Sequence, residues 1–328
     1  MAFYRALPTP ARPSCYNPFM RWTTPVRRLI PFAALSLALP TTGAGCDSAS
    51  LVLPAIINAP RGVGIQRGIT YSRTALRDLQ LDLYRPIGVP GPLPMVVLVH
   101  GGSWRTGSRD GMRQFAYDVA AQGYVAASID YRLIQDGGIF PAPVADVLKA
   151  IAFLRARASE YDGDPQRVGV LGVSAGAHLA MLAGMAGDTR VFDAEQESEG
   201  NAELRAVVNI EGPTDFTVNA ALAQAWQIER VEAFLGRPLA EAGALRVTAS
   251  PITYVRSDGP AVLIIHGDAD DTVPVDQARR LAAALQTVGQ KHDYREIPGM
   301  NHLAGGFWEG SFVQAYRPIL FAFLAENL

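Results

Sequence analysis

The sequence predicts an α/β protein with a mostly parallel central sheet covered by helices on both faces. Short apolar runs recur along the chain, at 94–99, 124–129, 168–173, 206–210 and 261–265. Segments long enough for helices separate these runs, and strands buried on both faces typically read as continuous apolar stretches. The composition agrees, because 328 residues that are 49% hydrophobic and 18% charged can bury one large core.

The elements can be placed in order along the chain. Residues 80–84 alternate polar and apolar side chains, which predicts an early antiparallel strand in a fold whose ordered part begins near Ile69. Covering helices are expected near 109–122, 143–159, 175–186, 275–289 and 312–326, and a further strand at 292–297. The longest interval, 211–255, contains a helical stretch near 221–235. We expect it to form a small lid or one wall of a pocket in a single domain over 69–328.

The N-terminal 46 residues have the order of an export signal. Arg27 and Arg28 precede the apolar stretch Leu29–Pro40, and small residues lead to Cys46. A mostly apolar stretch of about twelve residues is too short to span a bilayer. Residues 43–46 resemble a bacterial lipobox, which implies lipidation of Cys46, a tether over 47–68 and anchoring in the bacterial cell envelope. An ordinary cleaved signal, giving a periplasmic or secreted protein, and a misread coding start or a buried segment are the alternatives. Translation from Met20 instead of Met1 would give a signal of more typical length.

Charge and cysteine usage exclude several classes of protein. Residues 1–45 hold five arginines and no acid, so the rest of the chain has 24 basic and 31 acidic residues. An acidic body lacks the basic footprint of a nucleic-acid-binding protein. Both cysteines, Cys15 and Cys46, precede the predicted domain. The domain therefore has no thiol for an internal disulfide or a thiolate metal site.

The most informative motif is Gly172-Val173-Ser174-Ala175-Gly176, which follows an apolar run and opens an Ala-rich helical stretch. A serine at a sharp strand-to-helix turn is typical of a nucleophile elbow. Glycines two positions away on either side allow the strand and the helix to pass closely. Such a pentapeptide also arises by chance in a Gly-rich chain, so the prediction that Ser174 is a nucleophile depends on finding its partners.

A base and an orienting acid are available downstream. His302 follows the strand at 292–297 in a polar loop, where it can reach over the carboxyl edge of the sheet, although an exposed loop histidine is the alternative. His178 lies one helical turn after the serine and is expected to pack, and His292 is expected to be solvated. After His266 come three candidate acids, in the order of preference Asp270, Asp271 and Asp268. The aspartates lack the later glycine and glutamate of a calcium-binding loop.

The segment His100-Gly101-Gly102-Ser103-Trp104 ends another apolar strand. Its backbone N–H groups can face the negatively charged oxygen of a reaction intermediate. We therefore expect an oxyanion hole formed by the N–H groups of Ala175 and Gly102, with Ser103 as a further candidate. A glycine turn after a strand is the structural alternative.

Together these motifs resemble the α/β-hydrolase fold and, within it, the esterases that are hormone-sensitive-lipase-like or BD-FAE-like. The order Ser174, Asp270, His302 is that of α/β-hydrolases. The matching segments lie within about residues 80–305 and are 100–104, 130–133, 140–143, 172–179, 250–251 and 266–274, plus His302. Ser103 stands where many relatives have a third glycine. Because activity on tertiary-alcohol esters is associated with the Gly-Gly-Gly form, this difference weakens any inference about such substrates.

The resemblance implies a serine carboxylesterase that acts on a small-molecule ester through an acyl-enzyme, with no cofactor or metal. A kynurenine-formamidase-like amidase or a peptidase on the same triad is the first alternative, because tryptophan after His-Gly-Gly-x also occurs in kynurenine formamidases. A non-catalytic binding protein that kept the fold is the second, although no triad member is missing. Acyl and alcohol specificity and oligomeric state are not readable from the sequence.

Overall fold

The computed structural model describes residues 62–186, 191–192, 204–218, 224–302 and 311–328. The described residues all belong to one compact unit. The predicted export segment with Cys46, and the predicted tether up to residue 61, lie outside the described residues.

An eight-stranded sheet forms the centre of the fold. Its strands run from β1 to β8 in chain order, with the bounds Val63–Arg73, Asp78–Pro86, Leu93–Val99, Val125–Ile129, Gly163–Val173, Ala206–Ile210, Ala261–Gly267 and His292–Ile297. The spatial order is β1-β2-β4-β3-β5-β6-β7-β8. Strand β2 pairs antiparallel with β1 and with β4, and the other pairs are parallel. The predicted mostly parallel sheet is confirmed.

Helices cover both faces of this sheet. They are α1 to α7, with the bounds Arg113–Ala121, Ala142–Ala156, Ala175–Met185, Ala225–Leu235, Gly243–Thr248, Asp276–Val288 and Ser311–Asn327. Residues of α2, α3 and α6 pack in one apolar cluster, and residues of α1 and α7 pack in a second. Strand β3 contributes alternate residues to the two clusters, Val97 to the first and Leu98 to the second. Both faces of the strand are therefore buried, which is why it reads as one apolar run.

The prediction that the tether extends to residue 68 is wrong, because strand β1 begins at Val63 rather than near Ile69. This edge strand was missed because its ladder is irregular: the register with β2 shifts between Gln66 and Ile69. Gly68 lies at the shift with a φ of +68°, and its N–H donates to a carboxylate oxygen of Asp82 at 2.9 Å. A bulge of this kind breaks the two-residue alternation that would identify a strand.

The interval between β6 and β7 contains helices α4 and α5, as the helical pattern near 221–235 predicts in part. Helix α4 lies beside the carboxyl edge of the sheet, where it forms a wall of the cleft described below. Among the described residues, no helix combines the length and apolar character needed to cross a membrane.

Candidate active site

Ser174 lies at the turn between β5 and α3 in a strained backbone conformation. Its φ is 54° and its ψ is −123°, which a residue with a side chain rarely adopts. The glycines around it permit this turn: a Cβ on Gly172 would collide with the backbone of Gly176, and a Cβ on Gly176 would collide with the carbonyl of Val99. The predicted strand-to-helix elbow is present, and it holds the Ser174 hydroxyl at the carboxyl edge of the sheet.

The structure brings Ser174, His302 and Asp270 together in one hydrogen-bonded chain. His302 Nε2 is 2.9 Å from Ser174 Oγ, and His302 Nδ1 is 2.7 Å from Asp270 Oδ2. The carboxylate can only accept, so the imidazole carries its proton on Nδ1 and its Nε2 accepts from the serine hydroxyl. This tautomer is the one that a base for Ser174 requires.

Asp270 is held as an ionised carboxylate. Burial raises its pKa, but hydrogen bonds from His266 and His302 outweigh burial and, with the Val273 N–H, bring the pKa well below its usual range. The N–H groups of Thr272 and Val273 both donate to its Oδ1 at 2.8 Å. The second oxygen, Oδ2, faces His302 Nδ1 at 2.7 Å, with His266 Nε2 farther away at 3.2 Å. Of the three candidate acids, Asp270 is therefore the one in contact with the histidine.

The other two aspartates hold the loop that carries the histidine. Asp268 Oδ1 accepts from the N–H of Gly299 at 2.6 Å, and Asp271 Oδ2 accepts from Nδ2 of Asn301 at 3.3 Å. Asn301 Oδ1 in turn accepts from the N–H of His302 at 2.6 Å. These contacts place the loop without touching the imidazole ring.

Two residues in contact with the triad were not predicted from the sequence. His266 Nε2 lies 2.8 Å from the carbonyl of Val273 and 3.2 Å from Asp270 Oδ2, so it acts as a donor in this buried place. Glu211 Oε2 lies 3.6 Å from His302 Nδ1, and the glutamate is buried, with a φ of 55°. The sequence does contain one indication for Glu211: it directly follows the apolar run of β6, so its side chain is expected at the carboxyl edge of the sheet, where Ser174 also lies.

Glu211, Asp270 and His302 also form the one group in the described part of the chain that could hold a metal ion. Both nitrogens of His302 have hydrogen-bond partners within the triad, Ser174 and Asp270. The donor set therefore fits a proton-transfer chain better than a metal site.

The loop after β3 passes directly against the serine. A Cβ on Gly101 would lie 3.2 Å from Ser174 Cβ. Gly102, Ser103 and Trp104 all have positive φ angles, of 119°, 54° and 59°, and the N–H groups of residues 105 and 106 close the turn on the carbonyl of Gly102. Ala175 is the first residue of α3, so its N–H has no acceptor within the helix. Gly102, Ser103 and Ala175, the residues predicted to supply oxyanion donors, therefore all lie near Ser174.

Buried side chains support this loop from below. The ring of Tyr131 stacks on His100 with centroids 4.3 Å apart, and its hydroxyl donates to the His100 carbonyl at 3.0 Å. Burial lowers the pKa of His100 to about 4, so this imidazole is neutral near pH 7. Next to the tyrosine, Arg132 forms a two-point ion pair with the buried Asp146. Tyr131 and Arg132, two residues of the segment 130–133, therefore hold this loop in place.

The two remaining histidines lie away from the triad. His178 is fully buried, with its Nε2 2.8 Å from the carbonyl of Ala249, and burial lowers its pKa to about 4. It packs against the ring of Trp104, as the sequence predicts for a packing residue. His292 begins β8 and is half-buried, with Nδ1 2.8 Å from the carbonyl of Gln290, rather than fully solvated.

A cleft opens above Ser174 and offers about 440 Å³ of empty space, part of it open to solvent. Its walls come from the loop after β3, the N-terminus of α3, helix α4 and the loop between β7 and α6. The lining side chains are Ser103, Trp104, Ser174, Ala175, Pro213, Trp226, Gln227, Arg230, Val231, Thr272, Val273, Pro274 and Gln277. Most of this surface is apolar, which is typical of a small-molecule site.

The sheet order, the elbow and the hydrogen-bonded Ser-His-Asp chain together define an α/β-hydrolase-fold protein. The chain belongs to the BD-FAE family, whose family model matches residues 81–285. This match begins within β2, runs through β7 and includes the elbow and the loop with Asp270.

Known proteins similar to this chain include several esterases. Esterase LipC of Mycobacterium tuberculosis is 34% identical over 227 residues, which cover 68% of this chain and 56% of LipC. Isoprenylcysteine alpha-carbonyl methylesterase ICME of Arabidopsis thaliana is 28% identical over 246 residues, which cover 73% of this chain and 56% of ICME. The chain thus spans little more than half the length of the curated relatives it matches.

Solved structures agree on the fold. A truncated carbohydrate esterase from gut microbiota superimposes with a TM-score of 0.70 and 25% identity, covering 80% of this chain and 96% of that one. Esterase Est2 of the planctomycete Thermogutta terrifontis gives a TM-score of 0.67 and 26% identity, covering 81% and 92%.

Proposed function

We propose that this protein is a serine carboxylesterase that hydrolyses small carboxylic esters through an acyl-enzyme. The observation that carries the proposal is the hydrogen-bonded chain from Ser174 Oγ through His302 to Asp270, with Ser174 on a strained elbow that faces an apolar cleft. Membership of the BD-FAE family and the names of the similar esterases support it.

In the proposed reaction Ser174 Oγ attacks the ester carbonyl carbon while His302 Nε2 takes the hydroxyl proton. The proton then passes to the leaving alcohol oxygen as the C–O bond breaks, which leaves an acyl group on Ser174. A water molecule activated by His302 attacks this acyl group and releases the carboxylic acid. Asp270 keeps Nδ1 protonated and stabilises the imidazolium in both steps.

We propose the N–H groups of Ala175, Gly102 and Ser103 as donors to the oxyanion of the tetrahedral intermediates. Three features support this: the first position of Ala175 in α3, the close approach of Gly101 to Ser174, and the shared cleft lined by Ser103 and Ala175. Removing one such donor typically costs a factor of about 10² to 10³ in kcat.

The test measures hydrolysis of 4-nitrophenyl acetate, butyrate and octanoate by the purified protein. Ser174→Ala should lower kcat/KM at least about a thousandfold, since the nucleophile is removed. The matched control is Ser159→Ala, because Ser159 is exposed between α2 and β5 and does not line the cleft. Equal activity of Ser174→Ala and the control, with both folded, would rule out the proposed mechanism.

An organophosphate provides an independent test of the nucleophile. Esterase 2 of Thermogutta terrifontis is described as phosphorylated by paraoxon in a solved structure. We expect paraoxon to inactivate this protein and to leave one phosphoryl group on Ser174, measured by peptide mass spectrometry. Hydrolysis of a matched 4-nitroanilide far faster than the ester would favour the amidase alternative instead.

We also propose that the protein is exported and anchored to the bacterial cell envelope through a lipid on Cys46. Support comes from the sequence alone: the arginine pair, the apolar stretch and the small residues before the cysteine. Several acyl chains on one cysteine would suffice for stable anchoring.

A further inference from the structure

One charged side chain lines the cleft above Ser174. Among the described lining residues, Arg230 is the only one with a net charge, and it projects from helix α4 into an otherwise mostly apolar surface. The sequence pattern of α4 gives no sign of it, because an arginine on an amphipathic helix most often faces solvent.

The guanidinium of Arg230 is held by neutral partners. Its Nη1 donates to Ser103 Oγ at 2.9 Å, and its Cζ lies 4.6 Å from the centre of the Trp226 ring. Within the part of the chain that the structure describes, no aspartate or glutamate pairs with Arg230, whereas the neighbouring Arg105 pairs with Glu229 at 3.1 Å. A guanidinium has five N–H donors, so one contact to a hydroxyl leaves most of them for a ligand.

The helix that presents this arginine is attached to the loop that carries the catalytic acid. The buried Gln227, one turn before Arg230, donates from Nε2 to the carbonyl of Thr272 at 2.9 Å. Thr272 in turn donates its N–H to Asp270. Because Ser103 Oγ and the Trp226 ring both contact the guanidinium, less conformational freedom is lost when it binds a ligand.

We propose that Arg230 binds a carboxylate on the substrate, so that the preferred substrates are esters that carry a second, free carboxylate. The inference rests on the proposed esterase function of the same cleft. A planar guanidinium matches a carboxylate with two parallel hydrogen bonds, and the other described side chains that line the cleft carry no net charge that would compete for it. The contact to Ser103 Oγ places this charge beside the proposed oxyanion donors.

The experiment compares two pairs of esters that differ only in carboxylate against carboxamide. Monoethyl glutarate and ethyl 4-carbamoylbutanoate place the group on the acyl side, and 3-acetoxypropanoate and 3-acetoxypropanamide place it on the alcohol side. Acid release in a pH-stat gives kcat/KM for each. In at least one pair we expect the carboxylate ester to be preferred about tenfold or more, as a charged hydrogen-bonded pair allows.

Variants assign this preference to one side chain. In Arg230→Gln the ratio of carboxylate to carboxamide should fall to within about twofold of one, and Arg230→Lys should retain part of it, since lysine keeps the charge but not the planar fork. Arg237→Gln is the control, because Arg237 is exposed just after α4 and does not line the cleft, and the same charge is lost. It should keep the wild-type ratio.

The outcomes separate this inference from the proposed function. If the wild-type protein hydrolyses both members of each pair equally well, or if Arg230→Gln keeps the preference, the carboxylate site is wrong while the esterase function stands. If none of the four esters, nor the 4-nitrophenyl esters, is hydrolysed faster than by Ser174→Ala, the esterase function itself is wrong.

Discussion

Replacing Asp270 with asparagine keeps the shape of the side chain and removes its charge, so the change isolates the electrostatic role of the acid. Oδ1 of Asp270 accepts two backbone N–H groups at 2.8 Å. The amide oxygen of asparagine must take this place, because an NH₂ group there would face two donors. The NH₂ group then occupies the position of Oδ2, 2.7 Å from His302 Nδ1.

An NH₂ group opposite Nδ1 reverses the tautomer of His302. Nδ1 must then accept, the proton moves to Nε2, and Nε2 can no longer accept the proton of Ser174 Oγ. The corresponding change in a serine protease lowers kcat by about 10⁴ for this reason, which is about 5.5 kcal/mol of transition-state stabilisation. We expect a loss of about 10³ to 10⁴ in kcat/KM for 4-nitrophenyl butyrate.

Two matched variants control for effects on the surrounding loops. Asp268→Asn and Asp271→Asn remove carboxylates that hold the 299–301 loop but do not contact the imidazole ring, so each should cost less than about tenfold. Circular dichroism and thermal unfolding would show that all three variants are folded. An Asp270→Asn protein within tenfold of wild type, or an Asp271→Asn protein that is the most impaired, would contradict the assignment of the acid.

Three further predictions follow from the contacts of the triad, and a fourth follows from the N-terminal sequence. Ser174→Ala and His302→Ala should each abolish most ester hydrolysis, and the double variant should be no worse, because the pair acts as a unit; additive losses in kcat/KM would count against this. Glu211→Gln should lower kcat/KM, since it removes a carboxylate oxygen 3.6 Å from His302 Nδ1; an unchanged kcat/KM would mean that Glu211 does not stabilise the imidazolium. Because the pKa of Asp270 is lower in the folded protein than in the unfolded chain, where it is about 4, the ionised carboxylate stabilises the fold above that pH, and this stabilisation is lost as the pH falls below it. Between about pH 5 and 3, Asp270→Asn should therefore lose less thermal stability than the wild-type protein, as measured by calorimetry. Cys46→Ser should release the protein from membranes with its esterase activity intact, and intact mass spectrometry that finds an unlipidated mature chain starting elsewhere would exclude the lipid anchor.

Much of the fold is readable from the chain because the signals are local. Strands buried on both faces appear as apolar runs, and β6 begins and ends where its run predicts, at Ala206 and Ile210. The elbow is local as well, since five consecutive residues contain the serine and the glycines that its turn requires. Strand β1 was missed because the bulge at Gly68 removes the alternation that marks an exposed edge strand.

The sequence by itself determined the class of fold, the nucleophile candidate and a short set of possible partners. Only the tertiary structure decided that Asp270 rather than its neighbours meets His302, that Glu211 and His266 join them, and that Arg230 enters the cleft. The physical reason is separation along the chain. Ser174 and His302 are 128 residues apart, and which side chain of a loop faces such a partner depends on the path of the backbone in space, about which local spacing carries no information.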